Sequence, residues 1–176
     1  TYTVTVEDKG FATYTDNAVV LNVGQTANLP VALTLATANE TVQVNAQANM
    51  IETERTAPTN TVQQRAIENL PINGRNYINF TLTDSEATRD DAPSIGAAPT
   101  SGINFSGQRA RSNLVNLDGM DQTDNSTNGV RSTIPQDAVQ EFQIIDNSYA
   151  PEYGRASGGV VNIVSKSGTN AWHGSA

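Results

Sequence analysis

Tyr153-Gly154-Arg155-Ala156-Ser157-Gly158-Gly159-Val160-Val161-Asn162-Ile163-Val164-Ser165-Lys166-Ser167-Gly168 is the stretch on which the reading of this chain turns. A glycine-rich corner opens directly into an alternating strand, Val160 to Val164, which stops at a polar Lys-Ser-Gly turn. Gly158 and Gly159 remove two β-carbons just before that strand, as close backbone approach or a sharp bend into a sheet requires. Nothing in the run has the pattern of a nucleophile, a general base or a metal ligand. The signal is architectural and points away from an enzyme.

Outward from the corner, residues 61 to 170 read as a small α+β block. Ile134 to Tyr149 is expected to hold a short helix, with Asp137 near its start and Val139 and Phe142 on one face, passing into a strand at Phe142 to Ile145. A polar loop at 121–133 precedes it. Leu114-Val115-Asn116-Leu117 is an alternating strand that stops at Asp118-Gly119, a hairpin-turn dipeptide. Ile103 to Phe105 is a further strand, ending at Ser106-Gly107 and leading into Gln108-Arg109. Residues 83–102 contain acids, Pro93 and Pro99, and read as a long surface loop. Further upstream, Thr61 is placed to cap a helix, with Gln64 completing a capping box and Ile67 and Leu70 on one face. Pro71 ends that helix. Asn73-Gly74 is a turn, and Arg75 to Leu82 follows as a second short helix burying Tyr77, Ile78 and Leu82. Two short helices against a small mixed sheet is an α+β layout.

The first 48 residues alternate with period two instead. Tyr2, Val4 and Val6 share one side of a strand, and Asp8-Lys9-Gly10 is a tight turn. Phe11 to Tyr14, Val19 to Val23, Leu29 to Leu35 and Thr41 to Asn45 supply further strand candidates, Pro30 sitting at an edge or strand start. Together they read as part of an antiparallel β-sandwich. Residues 49–60 are polar, a linker with one candidate short strand at Met50 to Thr53. The chain starts inside a strand pattern, and Trp172-His173-Gly174-Ser175-Ala176 has no cap or tail character. The expectation is therefore a piece of something longer.

Composition removes several function classes. A formal charge of −8 and only 10 Lys and Arg in 176 residues leave no basic face for nucleic acid. No stretch reaches about 18 consecutive apolar residues, the length a membrane-crossing helix needs. With no Cys and one His, at position 173, neither a zinc site nor a catalytic triad can be assembled. Asp118, Asp121 and Asp124 beside Asn125 have the residue types of a calcium site, but lack the spacing and closing Glu of an EF-hand. Solvated loop carboxylates explain them equally simply, and no metal or cofactor is assigned. Glu141 and Glu152 are not placed by sequence as a glycosidase pair. Arg75, Arg109, Arg111 and Arg155 each sit near Gly or Asn at a turn or strand start. Two readings stand side by side: buried ion pairs with acids such as Asp118, Glu141 or Glu152 that lock loops together, or solvated turn residues.

Five segments in order carry a resemblance. They are Ile67 to Tyr77, Phe105 to Asn113, Leu117 to Asp121, Gln140 to Gln143 and Tyr153 to Lys166. This set resembles the plug domain of TonB-dependent outer-membrane receptors, and is most similar to the Oar-like branch, whose members carry a carboxypeptidase-regulatory-like β-sandwich ahead of the plug. The resemblance implies four regions: the last sandwich strands at 1–48, a linker at 49–60, the plug at 61–170 and the start of the first barrel strand at 171–176. It implies a plug seated in its own β-barrel of about 22 strands, in the outer membrane and facing the periplasm. TonB of an inner-membrane energising complex would be its partner, and a large substrate, protein or oligosaccharide, its cargo. Structural or gating roles then fall to Gly74, Arg75, Gly107, Arg109, Asp118, Gly119, Glu141, Tyr153, Gly154, Arg155, Gly158 and Gly159, with no catalysis. Loops 83–102 and 121–133, long and polar, are the expected substrate-facing apices. No TonB-contacting segment is distinct from the strand at Glu40 to Ala46. The competing expectation is a structural subunit of an extracellular assembly, in which copies of the chain join through open strand edges.

Overall fold

The computed structural model describes residues 2–35, 42–44, 57–72, 76–90, 102–124, 130–131 and 134–172. Two compact units divide the chain, Thr1–Arg55 and Thr56–Ala176.

In the first unit, β1 (Tyr2–Val6), β2 (Tyr14–Val19) and β3 (Val42–Val44) form a sheet in that order. β1 and β2 are antiparallel, joined through a turn in which the Phe11 amide donates to the Asp8 carbonyl at 3.1 Å. β3 runs parallel to β2, which corrects the purely antiparallel expectation. More than twenty residues separate these strands, and a parallel pair needs a long crossover of that kind. The strand expected at Val19 to Val23 ends at Val19. Asn22 and Gln25 close a turn there, through the Gln25 amide to the Asn22 carbonyl and the Asn22 amide to Gln25 Oε1, both 3.1 Å. Leu29 to Leu35 makes only a bridge from Leu35 to Phe11. The candidate strand at Met50 to Thr53 lies outside the described residues.

The second unit is built on a five-stranded mixed sheet. Its strands are β4 (Thr59–Gln63), β7 (Leu114–Leu117), β8 (Met120–Asp121), β9 (Val139–Ile145) and β10 (Val160–Ser165), in the order β4-β9-β10-β7-β8. Only β10 and β7 run parallel. β5 (Ala87–Arg89) and β6 (Ile103–Phe105) pair antiparallel as a separate ribbon. One face of the large sheet presents Val62, Phe142, Ile144, Val161 and Ile163 to α1 (Gln64–Asn69), a 3-10 turn at Tyr77–Thr83 and the ribbon. Phe80 from that turn meets Phe142 with ring centroids 6.2 Å apart and planes tilted by 59°. On the other face Leu114, Ile145 and Val160 are covered by Tyr149, Tyr153 and Ala156. β9 is thus buried on both sides.

Four expectations about this unit change. Thr61 does not cap a helix: it lies in β4 opposite Gln143, and α1 starts only at Gln64, from an extended Gln63 with no side-chain cap. β-branched Thr59, Thr61 and Val62 suit a half-buried strand better than a helical first turn. The helix expected from Ile134 shrinks to a single 3-10 turn, Gln136–Ala138, and the strand starts at Val139. Finally, 83–102 is not all loop, since it contains β5. Loop 121–133 does not lack core residues either, because Val130 is 1% exposed inside the main cluster.

Candidate functional site

The glycine corner is where the second unit is tied together. Gly159 precedes β10 directly over the ring of Phe105, and a β-carbon there would stand 2.6 Å from Cγ. At Gly158 it would fall on Oδ1 of Asn113. Neither glycine has a positive φ, so what both positions demand is the absence of a side chain. The left-handed residue of the corner is Arg155, at φ 65°, and Gly154 has open space around it.

Asn113, buried just ahead of β7, holds three segments at once. Its Nδ2 donates to the Ile103 carbonyl at 2.7 Å, and its Oδ1 accepts from the Gly159 amide at 3.1 Å. The neighbouring Ser112 carbonyl accepts from the amides of Ser157 and Gly158, each at 2.9 Å. β6, β7 and the approach to β10 therefore converge on one amide side chain. Sequence reasoning did not single out Asn113, although it lies within one of the quoted segments.

A polar row crosses the sheet below the corner. Thr61, Gln143, Asn162, Asn116 and Asp121 stand opposite one another from β4 to β8. Asn116 Nδ2 donates to Asn162 Oδ1 at 3.2 Å, and Asn162 Nδ2 to Gln143 Oε1 at 2.9 Å and to the Tyr153 hydroxyl at 3.2 Å. Gln143 is 1% exposed, so its amide needs such partners. Tyr153 links the row to the corner and packs its ring on the Leu114, Ile145 and Val160 face.

At the far end, Asp118-Gly119 makes the two-residue connection between β7 and β8, with φ of 50° and 81°. Both central residues lie in the left-handed region, the condition of a type I′ hairpin turn. The Asp118 carboxylate accepts from the Ser165 amide at 2.9 Å and from its hydroxyl at 2.7 Å, which fastens the hairpin to the end of β10. Gly107 plays a similar part beyond β6, where the Gln108 amide closes on the Phe105 carbonyl at 2.8 Å.

Arg155 lies 3.5 Å from Asp121, with both side chains substantially exposed. The pair is exposed, whereas a buried one was expected, and Asp121 is an acid beyond the three named as examples. Arg111 lines the same small pocket, of about 100 Å³, with Asn113 and Thr123. Desolvation pushes the Asp121 carboxyl up, but hydrogen bonds from Thr123 and the charges of Arg155 and Arg131 outweigh it and hold it below the usual range. Arg109 is exposed, and Glu141 is half-buried on β9 between Gln63 and Val164. Gly74 and Arg75 lie outside the described residues. A mixed sheet knitted by amide side chains around a glycine corner is a structural device.

Oar, a TonB-dependent transporter of Myxococcus xanthus, is 28% identical over 175 residues, 99% of this chain and 16% of its own length. The chain resembles TonB-dependent receptors from end to end. It spans about a sixth of that transporter. The ferrienterobactin receptor of Escherichia coli strain K12 is 40% identical over 50 residues, 28% of this chain and 7% of the receptor. Among solved structures, the siderophore receptor PirA of Acinetobacter baumannii matches 64% of this chain and 18% of its own, at TM-score 0.50 and 25% identity. The outer-membrane transporter YddB of Escherichia coli matches in fold, at TM-score 0.52 and 20% identity, over 62% of this chain and 17% of its own. No protein-family model matches the chain. Mainly β structure with a mixed sheet and short helices is the fold of the receptor fragments it aligns with.

Proposed function

We infer that this chain is the plug and gating part of a TonB-dependent outer-membrane transporter, and that it performs no catalysis. Residues 1–48 would then close the sandwich domain, 61–170 form the plug and 171–176 lead into the first strand of the protein's own barrel. The alignment with Oar along 99% of the chain carries this reading. The locked corner supports it: a plug must hold its sheet together while individual segments move, and the Asn113 side chain binds Gly159, 46 residues away, with Gly158 packed against it. TonB and an outer-membrane, periplasm-facing location come with the same reading. The cargo would be met by the apices at 83–102 and 121–133, less Val130, which the core claims.

Conductance of the longer protein in planar bilayers tests the proposal. The intact protein should leave the bilayer closed, and deletion of residues 56–172 should open large steady currents. A deletion protein that inserts as a barrel but stays closed would overturn the plug assignment, as would a stop codon shortly after Ala176.

A further inference from the structure

Three of the ten basic residues gather around β8. Arg111, on a 3-10 turn at Ala110–Ser112, and Arg155, on the glycine corner, line one pocket of about 100 Å³ with Asn113, Asp121 and Thr123. Arg131 flanks it: its amide donates to the Gln122 carbonyl at 2.6 Å, and Val130 bridges Thr123. Asp124 follows Thr123 and sets one acid against Arg131, which leaves two guanidiniums and one carboxylate lining the pocket. This is a positive spot on a chain whose formal charge is −8. Its floor is fixed, because Asn113 is 6% exposed and both ends of its amide are taken, by Ile103 and Gly159. Asp121 is held more loosely. Its Oδ1 accepts from the Thr123 amide at 2.7 Å, but its Oδ2 stands 3.5 Å from Arg155 Nη1, with the two side chains 37% and 64% exposed. A two-bond guanidinium–carboxylate pair closes to about 2.7–2.9 Å. This single, long contact in water holds weakly.

We propose that the pocket between Arg111 and Arg155 is a site for a carboxylate carried by the cargo, and that Asp121 is the resident carboxylate it displaces. The planar fork of a guanidinium matches a two-oxygen acceptor, and a pocket this small takes the carboxylate group while the rest of its bearer stays outside. Little is lost in the exchange, since the contact given up is long and solvated and the Thr123 amide still holds Asp121 in place. The exchange also has a structural consequence. Arg155 to Asp121 ties the glycine corner to β8, so a ligand that takes Arg155 releases the start of loop 121–133 from the corner. That the bearer is cargo rests on the plug reading, in which 121–133 faces the substrate; that the pocket takes a carboxylate does not.

Titration of the 176-residue chain with succinate, followed by NMR of the arginine side-chain N–H groups at constant ionic strength, tests the site. The Arg111 and Arg155 signals should move together and saturate, while chloride at the same ionic strength moves neither. Arg111→Gln changes an exposed residue and should leave the melting temperature where it is. It should weaken succinate about tenfold, as the loss of a charged hydrogen bond does. Asp121→Asn keeps the acceptor for the Thr123 amide and should bind succinate several-fold more tightly, because apparent affinity falls with the fraction of sites already filled. No saturable movement of the two arginines, an unchanged affinity in Arg111→Gln, or an affinity in Asp121→Asn no tighter than the parent's would each overturn the proposal. So would inorganic phosphate that binds more tightly than succinate, since the pocket would then not select a carboxylate. A failed titration strikes the pocket and leaves the plug reading standing, whereas a closed deletion protein in the bilayer strikes the plug reading and leaves the pocket.

Discussion

A β-carbon added at Gly159 would stand 2.6 Å from a ring, Phe105, that is itself 1% exposed and held in the core. Replacing glycine by alanine normally stabilises by about 0.4–1 kcal/mol through the unfolded chain, whereas overpacking a filled core costs about 1–3 kcal/mol. The ring is fully buried in the main core cluster, so the cost should win. Gly159→Ala should lower stability by about 1–2 kcal/mol, and Gly158→Ala by at least as much, because its methyl would displace the Asn113 oxygen that binds the Gly159 amide. Gly154→Ala should stabilise by up to about 1 kcal/mol, since nothing approaches it and its φ is not positive. Urea unfolding followed by circular dichroism ranks the three. Equal losses at all three positions would show that the corner needs glycine for its backbone freedom, contrary to the geometry. A double change of Gly159→Ala with Phe105→Leu should recover part of the loss if the ring is the obstacle.

At the scale of elements, the contacts that matter join distant segments, which separates what sequence could reveal from what it could not. The Asp118-Gly119 turn was legible because its cause is local: two left-handed residues between paired strands. So was the β10 strand, from its alternation. β9 was not. Val139 and Phe142 are three apart and share the same core cluster, which looks helical, yet a bulge produces that spacing. Val164 pairs with Glu141 and Ser165 with Val139, so Gln140 is the extra residue that resets the alternation. The Thr61 and Gln64 pair was misleading for a similar reason, as its capping pattern overlaps a strand whose partner lies about eighty residues downstream. Asn113 was invisible because its partners are 10 and 46 residues away. Its replacement is the sharpest test of how the elements are held. Asn113→Ala leaves a buried carbonyl and a buried amide unpaired, at about 1–3 kcal/mol for each group, and should cost roughly 2–4 kcal/mol in urea unfolding. Asn113→Asp keeps the acceptor for Gly159 but sets a carboxylate against the Ile103 carbonyl. It should therefore cost more at neutral pH than at about pH 4. A loss below about 0.5 kcal/mol for Asn113→Ala would mean that the strands are placed by apolar packing alone.

For the whole molecule the open question of chemistry is whether its strand edges recruit other copies of the chain. β1, β3, β4 and β8 and both strands of the ribbon stand at the edges of their sheets, and β3, β5 and β6 are only three residues long. An exposed edge is a template for another strand unless it is short, bulged or charged. β8 is two residues long, and β1 carries a register shift between Tyr2 and Val4 that breaks its ladder. β4 is five residues, mostly polar, and runs straight into α1, which limits how far a new strand could extend along it. A formal charge of −8 adds mutual repulsion between copies at low salt. These features outweigh the apolar alternation of β1, so the chain should be monomeric by light scattering at micromolar concentration without detergent. Raising the salt should expose any edge tendency, because screening removes the repulsion and leaves the ladder groups unchanged. If multimers form under either condition, Val4→Pro decides where. It removes a backbone donor from β1, and loss of the multimers would place the contact on that edge and return the assembly reading to contention. Multimers that survive Val4→Pro would place the contact away from β1.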